Sequence, residues 1–309
     1  MILDIIILIV GFVLLIKGAD FLVVGASGIA EKFHIPPIVI GLTIVAFGTS
    51  APEAAISISA GVKGATGIAI GNVLGSNIMN ILLILGITAC IVPLKVEKNT
   101  IWREIPFMFG ITVLLVVMGQ ISGKIGFLAG CIFWILFIAF LLYLLRMSMR
   151  SQQEVVECPH KKQPMWVLAL VTVIGLGAII LGSNLTVDSA SDIAARLGMS
   201  DRLIGLTIVA FGTSLPELVT SITAARKNNV DIAIGNIVGS NIFNILFVLG
   251  TTCLVATVPY ASKFLIDGIV CIGATVLLWL CVVKTKELKR WGGALFLLGY
   301  AGYFVYLLL

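Results

Sequence analysis

Glu53 and Glu217 each close the same short string, Gly-Thr-Ser-x-Pro-Glu, at 48–53 and at 212–217, inside long apolar runs with no Lys or Arg close by. A carboxylate at membrane depth costs about 2.5–3.5 kcal/mol on insertion scales, roughly 5–7 for a pair. Protonation and packing against polar neighbours could lower that cost. Two matched glutamates in two matched polar clusters are a heavy burden for packing alone, and a cation site with two formal negative charges explains them better. The prolines agree with that reading. Pro52 and Pro216 have no N–H, so the carbonyls of Gly48 and Gly212 lose their helical donors. Ala51 and Leu215, which precede the prolines, are expected to leave helical angles. Freed carbonyls within a bilayer need a partner or a wet cavity, and a bound cation is one such partner. A simple proline kink is the plainer alternative for either site taken alone.

The surrounding ligands are hard. Thr49, Ser50 and Glu53 fall within one helical turn, as do Thr213, Ser214 and Glu217. Ser76 and Asn80 share a helix face at i,i+4, as do Ser240 and Asn244. Ca²⁺ takes 6–8 oxygens from carboxylates, carbonyls and amides. Neither cluster holds His or Cys, which disfavours zinc or copper. Asn77 and Asn241 read equally well as ligands or as bridges between helices, and the Gly71/Gly75 and Gly235/Gly239 pairs read as close helix packing.

The elements that must hold these groups follow from composition. Of 309 residues 60% are hydrophobic and 11% charged, with a mean hydropathy of +1.16. Soluble domains carry about 25% charged residues. A water-soluble globule and a disordered chain are both excluded, and continuous apolar runs argue against a β-barrel. The fold class is all-α integral membrane. Ten spans are expected, near 2–24, 37–60, 67–92, 102–119, 125–145, 165–190, 202–225, 231–256, 264–283 and 291–309. The stretch after Met1 has no basic flank and reads as a retained first helix. Alternate loops carry 14 Lys or Arg against 5 in the opposite set. The positive-inside rule then places both termini outside a multi-pass cell-membrane protein and the 146–164 loop in the cytoplasm. That loop holds Cys158 and His160, too few ligands for a metal site. The net charge of +5 belongs to loops and is no nucleic-acid footprint.

An internal repeat organises the chain. Residues 41–53 and 205–217 agree at twelve of thirteen positions, and 41–86 against 205–250 at 30 of 46, at a constant offset of 164. The halves are 1–145 and 165–309, joined by the linker 146–164. Five spans per half is an odd number, so the second half enters the membrane inverted. Inverted repeats place substrate sites near the midplane, between equivalent broken helices.

GTSxPE followed by GNxxGSNxxN, present twice, resembles the α-repeats of the Ca²⁺/cation antiporter superfamily, and most of all its prokaryotic sodium/calcium exchanger branch. The likeness spans the whole chain and is most specific in 41–86 and 205–250. It implies a ten-helix exchanger with ion sites between the second, third, seventh and eighth helices. By motif position, it implies that Glu53 and Glu217, with the carbonyls of Thr49 and Thr213, hold Ca²⁺. Ser50, Ser76, Ser214, Ser240, Asn80, Asn244 and the carbonyls of Ala46 and Ala210 would complete flanking Na⁺ sites. The first and sixth helices, with Lys17, Asp20, Asp188 and Asp192, would form the moving gate, although plain interfacial solvation also accounts for those charges. Potassium-dependent relatives carry an acidic residue at the Asn244 position. Asn80 and Asn244 are both neutral here, so K⁺ dependence is not expected. Two carboxylates match one Ca²⁺, so a 3:1 Na⁺ stoichiometry follows from the resemblance alone.

The function expected is secondary antiport of Ca²⁺ against Na⁺ by alternating access, with Ca²⁺ and Na⁺ competing for the two glutamates. No cofactor and no protein partner is implied, and a monomer in the lipid bilayer suffices. Ca²⁺/H⁺ exchange is the nearest alternative, with protonated glutamates replacing Na⁺ carriage. A cation channel is a further one. An intramembrane enzyme is disfavoured, because no Arg or His stands beside either Glu and no HExxH is present.

Overall fold

A computed structural model describes residues 2–151, 163–198 and 210–308. Most of the 146–164 linker, with Cys158 and His160, and the stretch 202–209 of the seventh expected span lie outside the described residues. The chain is helical almost throughout. α1 runs Ile2–Phe33. α2 (Pro37–Thr49) and α3 (Ala51–Val62) form one apolar pair bent by 53°. α4 is Thr66–Ile91 and α5 Thr100–Ser122. α6 is Phe127–Ser151 and α7 Met165–Arg196. α8 (Ala210–Thr213) and α9 (Leu215–Arg226) follow. α10 is Val230–Val255, α11 Lys263–Val283 and α12 Arg290–Leu308. Among the described residues seven helices are long and apolar enough to cross a membrane, or eight if α2 and α3 count as one span.

α10 is buried almost throughout, whereas α1 and α7 expose most of their length. Buried α10 packs against α2 and α9. The approach to α2 is very close, because a Cβ on Gly239 would stand 2.7 Å from the Leu42 Cα and one on Gly235 2.9 Å from the Ile38 carbonyl oxygen. The expected packing role of this glycine pair therefore holds. The matching surface for Gly71 and Gly75 would be 202–206, outside the described residues. Outside this core, α1 and α7 pack along each other, crossing where Gly18 meets Gly175 and Gly11 meets Gly182. Helices in lipid associate through such small-residue contacts, since lipid supplies no hydrophobic drive between them.

Two small antiparallel ladders tie the outer helices together. β1 (Leu94–Lys95) pairs with β4 (Glu287–Leu288), and β2 (Lys124–Ile125) with β3 (Val258–Pro259). Their registers are Leu94 with Leu288 and Ile125 with Val258. Leu94 and Val258 are 164 apart, but Ile125 and Leu288 are 163 apart. α6 and α12 keep the shorter spacing: Gly130 packs on the Gly250 carbonyl and Gly293 on the Gly86 carbonyl. A single-residue shortening thus separates the end of the chain from the constant offset read in the sequence.

One difference between equivalent positions is packing density. Phe47 on α2 stacks on Phe243 at 4.6 Å and meets Phe137 at 5.7 Å. Its counterpart Phe211 lines a cavity of about 660 Å³ with Leu8, Phe12, Met79, Leu83 and Tyr300.

Candidate cation-binding site

The helix break falls at Ser50, whose φ of −84° and ψ of 8° end α2 and begin α3. Ser214 (φ −93°, ψ 4°) does the same between α8 and α9. Proline at the start of each following helix is tolerated there because its missing N–H would be unpaired anyway. The non-helical residue is therefore the serine and not, as expected, Ala51 or Leu215, which open the next helices. This placement puts Glu53 and Glu217 in the first turns of α3 and α9. A helix N-terminus favours negative charge, so the break itself helps to hold two buried carboxylates.

The two glutamates are cross-connected. The Ser50 hydroxyl donates to Oε1 of Glu217 at 2.7 Å, and the Ser214 hydroxyl to Oε1 of Glu53 at 3.4 Å. Each carboxylate has its second oxygen, Oε2, buried with no donor among the described residues. Nearby, four asparagines interlock α4 and α10. Asn77 donates to the Asn241 carbonyl at 3.1 Å and Asn241 to the Asn77 carbonyl at 3.3 Å. Asn80 donates to Oδ1 of Asn241 at 2.9 Å, and Asn244 to Oδ1 of Asn77 at 3.1 Å. Asn77 and Asn241 are therefore bridges between helices. Asn80 and Asn244 each donate one amide hydrogen to the bridge and keep their own Oδ1 atoms buried without a donor among the described residues. Both lie in π-helical turns, Met79–Ile84 and Asn244–Leu249, a wider winding found often at functional sites.

Glu53, Glu217, Asn80 and Asn244 are each 1% exposed. Four such acceptors without donors would cost about 1–3 kcal/mol apiece if nothing satisfied them. A cation is the partner that carboxylate and amide oxygens have in common, and a hard one fits this set. Among the described residues no three His, Cys, Asp or Glu side chains gather as a metal cluster, so the charge on offer is that of two carboxylates.

The remaining expected ligands are distributed unevenly. The Ala46 carbonyl accepts the Ser50 N–H at 3.0 Å and the Ser240 hydroxyl at 3.4 Å, while the Thr49 hydroxyl, 3.3 Å from it, lies nearer Asn236 Oδ1 at 3.0 Å. Ser240 and the Ala46 carbonyl, both expected among the flanking Na⁺ ligands, are in contact, and that carbonyl already accepts hydrogen bonds. Ser76 is buried on α4, Thr213 ends α8, and Ala210 begins it.

A family profile described as sodium/calcium exchanger protein matches residues 3–146 and again 167–309. The chain belongs to the sodium/calcium exchanger family. Among similar proteins, the sodium/calcium exchanger MaX1 of Methanosarcina acetivorans is 33% identical, over 97% of both chains. The putative antiporter CaxA of Alkalimonas amylolytica is 41% identical over 95% of both. A solved structure of the sodium-calcium exchanger NCX_Mj superposes with a TM-score of 0.87 at 34% identity, covering 99% of each chain. The family is one of multi-pass membrane transporters, not enzymes.

Two polar residues of this exchanger-family chain escape a reading that looks only for ligands. Asn72 donates to the Glu53 carbonyl at 3.3 Å and to Ser57 Oγ at 2.9 Å. Asn236 donates to the Glu217 carbonyl at 3.4 Å and to Ser221 Oγ at 3.0 Å. Their signal was present in the sequence, since both belong to the identical IAIGN strings of the repeat.

Proposed function

We propose that this chain is a secondary antiporter that exchanges Ca²⁺ for Na⁺ by alternating access at a midplane site built on Glu53 and Glu217. The observation that carries the reading is the set of four buried, donor-free oxygens on Glu53, Glu217, Asn80 and Asn244. Membership of a family whose relatives are named sodium/calcium exchangers supports Na⁺ over H⁺ as the coupling ion. Thr49, Thr213, Ser50, Ser214, Ser76, Ser240, Ala46 and Ala210 supply the remaining oxygens in this proposal. Ca²⁺ fills the glutamate pair, or Na⁺ replaces it there and at the flanking positions, and occupancy permits the switch between faces.

The architecture proposed is ten spans in two inverted five-helix repeats, 1–145 and 165–309, joined by a cytoplasmic linker 146–164. The two separate family matches support it, as do hydrogen bonds that recur at matched positions, such as Asn72 to Ser57 and Asn236 to Ser221. α8 with α9, and α12, are the spans added to the eight counted above. Both termini lie outside by the distribution of Lys and Arg, and α1 with α7 forms the moving part. One copy in a lipid bilayer suffices.

The test is radioactive Ca²⁺ uptake into proteoliposomes with the voltage clamped at zero. Uptake driven by outward Na⁺ is expected. Uptake driven only by a pH gradient would replace Na⁺ by H⁺. No uptake with either gradient would overturn the ion-site reading of the two glutamates.

A further inference from the structure

We propose that Asn236 and Asn72 are positioning residues that set the Ca²⁺ affinity of the glutamate pair, an inference that rests on the exchange reading above. Asn236 is fully buried, and its polar atoms are all engaged. Nδ2 donates to the Glu217 carbonyl and to Ser221 Oγ, while Oδ1 accepts the Thr49 hydroxyl at 3.0 Å. One side chain on α10 therefore holds the last residue of α2 against the first turn of α9. Asn72 on α4 grips the first turn of α3 in the same manner, through the Glu53 carbonyl and Ser57. Both amides turn their hydrogens toward protein acceptors, so they act on the glutamates' backbone and not on the ion.

The consequence is selective. A divalent ion needs both carboxylates and several neutral oxygens held together at about 2.3–2.6 Å. Its ligand energies scale with its charge, so the same loosening weakens Ca²⁺ more than Na⁺. Freed from Asn236, the first turn of α9 can drift from Thr49 and Ser50.

Asn236→Ala and Asn72→Ala in proteoliposomes test this, beside wild type, with the Ca²⁺ KM, the half-effective Na⁺ concentration and the maximal rate per folded transporter as readouts. The Ca²⁺ KM is expected to rise about tenfold or more, as for other residues that orient ligands. The Na⁺ value should move less and the maximal rate should be retained. An unchanged Ca²⁺ KM, with rates falling only in step with the amount of folded protein, would mean a scaffold role and overturn the proposal. Should Asn236→Ala fail to fold, the half-buried Asn72 carries the same comparison. Should wild type show no Na⁺-driven uptake, the exchange reading falls by itself. The positioning role of the asparagines is then judged by Ca²⁺-dependent thermal stabilisation in detergent, which both variants must shift to higher Ca²⁺ if the proposal is right and leave in place if it is wrong.

Discussion

The hydroxyl of Ser50 and the carboxylate of Glu217 lie 2.7 Å apart although 167 positions separate them in the chain. The reciprocal pair, Ser214 and Glu53, is looser at 3.4 Å. The break in one bent helix thus serves the acid of the other, and the two acids are not equivalent. Glu217 is the better tethered.

Replacing either acid by its amide should remove the site while sparing the fold. Glu53→Gln or Glu217→Gln is expected to abolish Ca²⁺ uptake, with an unchanged elution profile in detergent. Wild type should gain thermal stability from Ca²⁺, by about 2.7 kcal/mol at a hundredfold excess over Kd, and both variants should lose that gain. Transport at wild-type rates in either variant would sink the assignment.

The asparagine bridge makes a prediction about stability. Asn244 donates to Asn77 Oδ1 at 3.1 Å. Asn77→Ala, Asn244→Ala and the double variant form a cycle. Interhelical hydrogen bonds in membranes couple by about 0.6 kcal/mol on average and about 1.7 at most. A coupling in that range is expected from unfolding midpoints, and additive losses would mean that the bridge contributes nothing as a unit.

The two bridging asparagines also show where sequence reading reached its limit. The glutamates, the helix breaks and the polar positions around them were legible, because apolar runs make every polar residue conspicuous and the repeat marks those that matter twice. The location of the break was not, since the proline rule pointed to Ala51 while Ser50 takes up the turn. Whether Asn77 coordinates or bridges depends on which helix faces it, and no spacing within one helix reveals that. Asn72 and Asn236 were passed over because their partners are a backbone carbonyl and a serine on a neighbouring helix. Counting spans from hydropathy gave ten, while the described helices that qualify by length and composition are seven or eight. The bent segments are short, and part of one is outside the described residues.

A second contact invisible in the sequence joins Lys227, just after α9, to Asp20 inside α1 at 2.9 Å. Asp20 therefore has a partner and is not merely solvated at a helix end. The positions matched at the 164 offset are Lys63 and Asn184, which cannot form an ion pair. Both side chains of the pair are about a third exposed, so its strength is modest, about 0.2–1 kcal/mol. If α1 must slide along α9 during the cycle, Asp20→Asn should raise turnover by up to about fivefold, the rate equivalent of that energy, with little change in the Ca²⁺ KM. Exchanging the charges, Asp20→Lys with Lys227→Asp, should restore the slower rate. Unchanged turnover in Asp20→Asn would show that the pair does not restrain the motion.

Glu97, in the connection between α4 and α5, offers a pH prediction away from the candidate cation site. Burial, together with the nearby charges of Asp231 and Glu104, pushes its carboxyl above the usual glutamate value. A carboxyl with a raised folded-state pKa favours the folded protein at low pH, and that advantage is lost as pH climbs through the raised value. Glu97→Gln should therefore raise the unfolding midpoint at neutral pH and flatten its decline from acid to neutral. An identical pH profile in the variant would show that Glu97 does not contribute.

The cavity beside Phe211 bears on how the molecule yields under load. Around Phe47 the rings of Phe137 and Phe243 fill the space, so bending α2 there must break dispersion contacts. Around Phe211 about 660 Å³ stands open, and a side chain can be displaced into it with fewer contacts to lose. Matching sequence strings thus stand in unequal surroundings, and a bend of α2 at Phe47 breaks ring contacts that Phe211, among the described residues, does not make.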